Sequence, residues 1–302
     1  MNAAHTPSRT TWFGVLTLII CAALWSLNGP LIKLLSQPGE SLPAITIACY
    51  RSLFGGVVFL PLALRRFGTL RSVGPRWWLG SVVVFTLMTV CFVIATTRTA
   101  AANAIILQYT APVWVFLLAP LILHERLQRS DGVVLLLAMS GIAIIFFGHT
   151  AGDLPALALG LASGLGFGLV IVTLRRFRQA DPIAVVALNF IGSGLLLAPA
   201  VALWGVFRIA STQQFVLVAA LGIVQMAVPY LLFSWALKYV EAHRAALIVL
   251  LETVLNPLWT YLAVGEPVPT PTLVGGPLIL AGVVASMLFT WRRAVKATAA
   301  AA

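Results

Sequence analysis

Ten apolar runs, each about twenty residues long, follow one another with only short polar or Gly/Pro-rich connections between them. A helix of about twenty apolar residues crosses the roughly 30 Å hydrocarbon core of a membrane, and lipid excludes unpaired irregular backbone. The pattern predicts an all-α, polytopic membrane protein with ten transmembrane helices. The first five predicted spans cover residues 12–35, 43–64, 76–97, 102–123 and 131–148, and the second five cover 154–174, 183–205, 213–237, 243–264 and 273–291.

Composition supports the same fold class. Hydrophobic residues make up 61% of the chain and charged residues only 9%, whereas soluble domains carry about 25% charged residues. Cys21, Cys49 and Cys91 all lie inside apolar runs without a paired spacing, so neither disulfides nor a structural metal site is expected. The first apolar run is longer than the core of a signal peptide, so we interpret it as an uncleaved span.

The basic residues are concentrated on one side of the predicted membrane topology. A net charge of +11 would suggest a nucleic-acid partner in a soluble protein. Here fifteen of the 19 Lys and Arg residues lie on the side of the N-terminus, only Lys33, Arg98 and Arg208 lie on the other side, and Arg51 lies within a span. Cytoplasmic loops collect Lys and Arg. The distribution therefore predicts cytoplasmic N- and C-termini, with the lipid bilayer and not nucleic acid as the partner.

The second five spans weakly repeat the first five at an offset of about 140 residues. The matches include Ala101, Ala104 and Glu125, which recur as Ala242, Ala245 and Glu266, and Lys33, which corresponds to Arg175. Because each half has an odd number of spans, the two copies are predicted to be inverted, as in many secondary transporters. We expect an N-terminal tail at 1–11, repeats at 12–150 and 151–291, and a basic C-terminal tail at 292–302.

Two ionisable residues, Arg51 and Glu252, lie near the middle of predicted spans. A charge at that depth costs about 2.5 to 3.5 kcal/mol and is expected to face a cavity or a partner. In the functional interpretation, Arg51 binds a substrate carboxylate, and Glu252 binds an amino group or a coupling proton. In the structural interpretation, the two form a permanent ion pair or a hydrogen-bonded lock between the repeats. Both interpretations stay open at this point.

Amides and aromatic side chains complete the predicted substrate-binding set. Glu252, Asn256 and Trp259 share one face of the ninth span, which we expect to line a cavity. The other candidates are Trp25, Asn28, Gln108, Tyr109, Trp114, Phe167, Asn189, Gln225 and Tyr230. Interhelical hydrogen bonding is the alternative role for the amides, and core packing is the alternative for the aromatic rings.

Three prolines, Pro112, Pro229 and Pro257, lie near the centres of predicted spans. Proline removes a backbone donor and permits bending, so these positions are candidate hinges. The alternative is that they are ordinary, since membrane helices tolerate proline.

Several motifs resemble the drug/metabolite transporter superfamily, in its ten-span branch with paired EamA-type repeats. They are Ala22-Ala23-Leu24-Trp25, Tyr50-Arg51, the stretch from Ala101 through Pro112 to Glu125-Arg126-Leu127, and its second copy from Ala242 through Leu251-Glu252 to Gly265-Glu266. The resemblance implies two inverted five-helix bundles around a central cavity, with the fifth and tenth spans more peripheral, and a helix-packing role for Arg51. Thr253 replaces the usual proline, so we expect the break in the ninth span one turn deeper, at Pro257.

Within the superfamily, the chain resembles the YddG-type amino-acid exporters. This implies a secondary transporter that exports amino acids, neutral and aromatic ones included, and related small metabolites across a bacterial inner membrane by alternating access. A nucleotide-sugar or other metabolite carrier is one alternative, although phosphates would favour more intramembrane cations than Arg51 alone. A channel or a non-transport scaffold is the other. We expect a monomer, with a dimer as the alternative.

Neither an ATP-driven pump nor an enzyme is expected. The three lysines do not follow glycines in the spacing GxxxxGK[ST] that a phosphate-binding loop requires. The four histidines are scattered along the chain, and no cluster of nucleophiles, carboxylates or metal ligands stands out. The sequence therefore predicts no enzymatic activity, no metal and no cofactor.

Overall fold

The computed structural model describes residues 9–38, 41–122, 129–177, 180–236, 239–240, 245 and 248–301. All regular secondary structure in these ranges is helical. The helices are α1 (Arg9–Trp25), α2 (Asn28–Leu34), α3 (Ala44–Ala63), α4 (Pro75–Arg98), α5 (Ala101–Gln108), α6 (Ala111–Ile122), α7 (Arg129–Phe147), α8 (Leu154–Arg176), α9 (Pro182–Trp204), α10 (Thr212–Gly222), α11 (Val228–Ala236), α12 (Leu251–Val264) and α13 (Thr270–Ala301). A 3₁₀ helix covers Phe67–Ser72, and a π-helical segment covers Ile223–Ala227.

Six described helical segments are long and apolar enough to cross a membrane. They are Trp12–Leu34, Ala44–Ala63, Pro75–Arg98, Leu154–Thr173, Pro182–Trp204 and Thr212–Phe233. Two shorter apolar helical segments, Leu135–Phe147 and Thr270–Ala285, accompany them. The prediction of an all-helical polytopic membrane protein is therefore confirmed for the described part of the chain.

The helices pack mainly in pairs that join the first half of the chain to the second. α3 packs against α9, α4 against α8, α1 against α11 and α7 against α13. Small residues allow the close approach: the backbones of Gly141 in α7 and Gly275 in α13 meet directly, so that a Cβ atom at either glycine would clash with the opposite carbonyl oxygen. A continuous apolar core that includes Ile47, Phe92 and Ile105 fills the centre. The two halves thus pack against each other through these helix pairs.

Two prolines explain the division of the first and fourth predicted spans into two helices each. In a regular helix, residue 30 would donate its N–H to the Ser26 carbonyl and residue 112 to the Gln108 carbonyl, but proline has no N–H. Pro30 and Pro112 instead lie in the first turns of α2 and α6, where a missing donor is tolerated. A two-residue turn therefore separates α1 from α2 and α5 from α6.

The eighth predicted span contains a π-helical turn at Ile223–Ala227, between α10 and α11. Val228 donates its N–H to the Ile223 carbonyl, five residues back. Pro229 lacks the N–H that the Gln225 carbonyl would otherwise receive. Such π turns often occur at functional sites. Gln225 and Met226, both within this turn, are buried.

The expected position of the break in the ninth span is wrong. α12 runs without interruption from Leu251 to Val264 with Pro257 inside it, and the turn lies earlier, at Leu250. The N–H and the hydroxyl of Thr253 both donate to the Leu250 carbonyl, over 3.0 and 2.7 Å. Thr253 therefore stabilises a tight turn without a proline. Leu250 lies 141 residues after Tyr109, which is in the turn between α5 and α6, so the two turns recur at the offset of the sequence repeat.

A polar contact ties three elements together at one end of the bundle. Lys33 in α2 forms an ion pair with Glu266, which lies between α12 and α13, and donates to the Thr99 carbonyl over 2.8 Å. Glu266 also accepts the backbone N–H of Ala101, the first residue of α5, over 2.7 Å. A carboxylate at a helix N-terminus stabilises the helix. This contact was not predicted.

Candidate substrate-binding site

Glu252 lies at the start of α12 and is only 7% exposed. Its two carboxylate oxygens accept hydrogen bonds from two different helices. The Asn28 side-chain amide, in α2, donates to Oε1 over 3.0 Å, and the Tyr109 hydroxyl, just after α5, donates to Oε2 over 2.8 Å. The carboxylate therefore lies where the turns of the first, fourth and ninth spans meet.

Asn256 lies one helical turn after Glu252 and extends the same network. Its side-chain N–H group donates to the Ser26 carbonyl over 3.2 Å and to the Asn28 side-chain oxygen over 2.5 Å. Pro30 cannot donate to that Ser26 carbonyl, so the amide of Asn256 takes the place of the missing backbone donor. The Oδ1 atom of Asn256 is buried and has no hydrogen-bond partner among the described residues.

The close approach of α2 to α12 depends on Gly29. A Cβ atom at that position would lie 2.6 Å from the Thr260 hydroxyl and 2.7 Å from the side-chain amide of Asn256. Real Cβ atoms do not approach this closely, so only glycine allows α2 to press against the network. We name the set Ser26, Asn28, Tyr109, Glu252 and Asn256 the carboxylate cluster.

A second polar cluster surrounds Arg51 in the middle of α3, where the side chain is 5% exposed. Nη2 of the guanidinium donates to the thioether sulfur of Met226 over 3.0 Å. The Cζ atom lies 5.9 Å from the centre of the Phe92 ring. Nε and Nη1 are buried without a hydrogen-bond partner among the described residues. We name Arg51, Phe92 and Met226 the guanidinium cluster.

Trp25 connects the two clusters. Its backbone carbonyl, next to that of Ser26, accepts a hydrogen bond from the Gln225 amide over 3.0 Å. Its ring meets the Tyr230 ring edge-on with 5.5 Å between the centroids. Gln225 directly precedes Met226, and its Oε1 atom is buried without a partner among the described residues. Trp25 thus links the π-helical segment that holds Met226 to the turn beside Ser26.

Arg51 and Glu252 interact electrostatically but do not form an ion pair with each other. Among the described residues, the ion pairs are Lys33–Glu266 and the surface pair Arg66–Asp181. The direct ion pair considered from the sequence is therefore absent from this conformation. Glu252 is surrounded by hydrogen-bonding groups, whereas Arg51 is surrounded by weakly polar groups, the Met226 thioether and the Phe92 ring.

Four predicted binding residues lie outside these hydrogen-bonded clusters. Asn189 accepts a hydrogen bond from the Ser81 hydroxyl over 2.8 Å, which ties α9 to α4. The Trp114 indole donates to the Thr110 hydroxyl over 3.1 Å. Phe167 packs against the apolar cluster that contains Met226. Gln108 is half-buried at the end of α5. The other eight, Trp25, Asn28, Arg51, Tyr109, Gln225, Tyr230, Glu252 and Asn256, lie in or beside the two clusters.

The three candidate hinge prolines occupy different positions. Pro112 and Pro229 are the second residues of α6 and α11, directly after irregular backbone; the side chain of Pro112 lies outside the described residues. Pro257 is inside α12 and lines an open apolar groove of about 420 Å³ between α5, α12 and α13. Their role in movement stays a prediction.

Met226 and the Ser26 carbonyl were missed by the sequence analysis. Met226 is an apolar side chain in an apolar span, so nothing in the sequence marks it as a partner of Arg51. The Ser26 carbonyl is marked in the sequence, because Pro30, four residues later, has no N–H to donate to it. Pro30 thus marks one acceptor of the carboxylate cluster that the polar side chains alone do not reveal.

Comparison with known proteins agrees with this architecture. The EamA-like transporter family matches the chain twice, over residues 12–147 and 154–288. An uncharacterized transporter of Archaeoglobus fulgidus is 30% identical over 287 residues, which cover 94% of this chain and 98% of that protein. The Pseudopaline exporter CntI of Pseudomonas aeruginosa is 26% identical over 276 residues, covering 90% of this chain and 95% of the exporter.

A solved crystal structure of another protein has the same fold. It superimposes with a TM-score of 0.60 at 18% sequence identity, covering 94% of this chain and 99% of that chain. The two family matches together span most of the chain, and the relatives are similar over nearly their whole length. The chain therefore belongs to the EamA-like transporter family of the drug/metabolite transporter superfamily and is a multi-pass membrane transporter.

Proposed function

We propose that this transporter exports amino acids, neutral and aromatic ones included, and related small zwitterionic metabolites across the bacterial inner membrane. The observation that carries the proposal is the pair of opposite charges, Glu252 and Arg51, buried in the spans without an ion pair between them. Burying a charge at this depth in a membrane costs free energy, and such charges mark substrate pathways. An α-amino acid carries the complementary pair of charges.

The ammonium group of the substrate binds at the carboxylate cluster. Glu252 supplies the negative charge, while the buried amide oxygens of Asn256 and Gln225 have no partner among the described residues and supply further acceptors. The substrate carboxylate binds at Arg51, whose Nε and Nη1 are free donors in the described structure. Trp25 and Tyr230 provide an apolar wall for the side chain. Few fixed charges and adaptable amides favour a broad substrate range.

Transport proceeds by alternating access in a ten-span bundle of two inverted five-helix repeats with cytoplasmic termini. The pairing of first-half with second-half helices supports this arrangement, as does the recurrence of a helix turn at Tyr109 and Leu250. The similarity to a protein named as an exporter supports the outward direction. Irregular backbone at a midplane site is typical of such transporters.

The test is uptake of labelled amino acids by purified protein in liposomes, with neutral, aromatic and charged members in the panel and a nucleotide sugar beside them. We expect saturable uptake of several neutral and aromatic amino acids and none of the nucleotide sugar. Glu252→Gln and Arg51→Lys should lower it, while Arg66→Gln, which removes an exposed surface arginine, should not. Folded wild-type protein that takes up no amino acid would contradict the proposal.

A further inference from the structure

Met226 lies in the π-helical segment Ile223–Ala227 and is 6% exposed. Its sulfur is the acceptor for Nη2 of Arg51. Pro229 interrupts the regular backbone hydrogen bonding three residues later, and the resulting π turn changes which side chains of this span face α3. The π turn thus places a weak acceptor, the Met226 thioether, against Arg51. Arg51 is the only arginine that is buried among the described residues.

A thioether is a weak hydrogen-bond acceptor, whereas a guanidinium carries five N–H donors. Arg51 therefore holds a full positive charge against one weak acceptor and the face of the Phe92 ring. Its Nε and Nη1 atoms have no partner among the described residues. A buried cation in this state is strongly under-compensated. A carboxylate is the group that relieves this deficit best, because its two oxygens pair with two guanidinium nitrogens at once.

The other groups near Arg51 do not satisfy its unpaired N–H donors. Glu252 acts on it electrostatically, but its carboxylate accepts hydrogen bonds from Asn28 and Tyr109 and forms no ion pair with Arg51. Tyr230 also lies near Arg51, but a neutral phenol carries no charge that compensates the guanidinium. Phe92 contributes only its ring face.

We propose that Met226 is a specificity-determining residue: it fills the place beside the Arg51 guanidinium without neutralising it, so that the site selects ligands with a carboxylate. This inference rests on the proposed function for the identity of the transported molecule, but the carboxylate preference is a separate property. A stronger acceptor at position 226 forms a hydrogen bond with the Arg51 guanidinium within the protein and removes the preference for carboxylate ligands.

The test is a graded series at this one position. Met226→Leu keeps the apolar volume and adds no acceptor, Met226→Gln offers an amide oxygen, and Met226→Glu offers a carboxylate. Met88→Gln is the matched control, because Met88 is equally buried, at 7% exposure, in the same apolar cluster but is not a partner of Arg51. The probes are 3-phenylpropionate and 3-phenylpropionamide, which have nearly the same shape and differ in charge.

The first readout is the dissociation constant of each probe for purified protein. Wild type, Met226→Leu and Met88→Gln should prefer the carboxylate. Met226→Glu should lose about tenfold or more of that preference, as expected for one charge-assisted hydrogen bond, and Met226→Gln should lie between. Equal preference across the Met226 series, or an equal loss in Met88→Gln, would overturn the inference.

The second readout separates this inference from the proposed function. The ratio of KM values for L-phenylalanine and L-phenylalaninamide is measured in liposomes for the same variants. Carboxylate-selective binding that follows the series, in a protein that transports no amino acid, would refute the proposed substrate and leave the role of Met226 intact. Amino-acid transport with a KM ratio unchanged by Met226→Glu would support the proposed function and refute the role of Met226.

Discussion

At the scale of single residues, Glu252 combines burial with two donors that suit its ionised form. Asn28 and Tyr109 each donate to one of its oxygens. The Tyr109 hydroxyl also lies 3.4 Å from the Val249 carbonyl, so it has a second acceptor when Glu252 takes up a proton. The carboxyl group can therefore change its protonation state without leaving a buried hydroxyl unpaired. This arrangement suits a group that carries a coupling proton.

We therefore expect an imposed proton gradient to accelerate uptake by the wild type and Glu252→Gln to abolish this acceleration. Asp153→Asn is the control, because the Thr150 hydroxyl donates to this exposed carboxylate and lowers its pKa, so that Asp153 stays ionised near neutral pH. Uptake is measured in liposomes over a range of internal and external pH. An unchanged pH dependence in Glu252→Gln would rule out proton coupling through this residue.

Gly29 is the second residue with a specific requirement. Gly29→Ala places a methyl group against Thr260 and Asn256 and should lower the free energy of unfolding by about 1 to 3 kcal/mol, as overpacking does. Gly80→Ala in α4 is the control: no atom lies within 4 Å of its added Cβ, and alanine in a helix is favoured over glycine. Thermal unfolding in detergent should show opposite shifts; a stabilised Gly29→Ala would refute the close packing of α2 on α12.

At the scale of elements, the division between α1 and α2 depends on a single missing N–H group. Pro30→Ala restores a donor for the Ser26 carbonyl and competes with the amide of Asn256. We expect this variant to keep or raise its thermal stability, since proline disfavours continuous helix, while its transport rate falls several-fold. Pro61→Ala, in the exposed part of α3, is the matched control. Normal transport by Pro30→Ala would mean that the turn is dispensable.

The helices also show which parts of the fold can be predicted from the sequence. Apolar run length predicted the six long spans of the described residues, because each span must satisfy its own backbone in lipid. It did not predict that α13 continues to Ala301, beyond the expected end of the tenth span at residue 291. The irregular turns followed from proline positions only in part: Thr253 makes a turn with its hydroxyl, and no length or hydropathy rule anticipates that. The contact between Arg51 and Met226 joins residues 175 positions apart, and only helix packing brings them together.

At the scale of the whole molecule, the proposed topology has a direct check. Fusion of a reporter that fluoresces only in the cytoplasm to either end of the chain should give signal at both ends, because the Lys and Arg residues concentrate on the side of the termini. A reporter placed in the loop after Arg98 should stay dark. Signal from one terminus only would refute an even number of spans.

The whole-molecule picture combines features that the sequence alone left as alternatives. Buried polar residues were expected to bind substrate or to hold helices together. Asn189 bonds to Ser81 between two helices, whereas Asn256 joins a network around an acidic group and keeps an oxygen that has no partner among the described residues. Residue type does not distinguish these roles. The difference arises from where the broken spans converge, which is a property of the folded bundle.

The central claim is that the two buried charges recognise the two ends of one ligand. The most direct measurement is the dissociation constants of L-phenylalanine, L-phenylalaninamide and 3-phenylpropionate for the wild type, Glu252→Gln and Arg51→Gln. The wild type should bind the zwitterion most tightly. Glu252→Gln should lose only the preference over 3-phenylpropionate, and Arg51→Gln only the preference over the amide. A wild type with no preference among the three ligands, or variants that weaken all three equally, would contradict the claim.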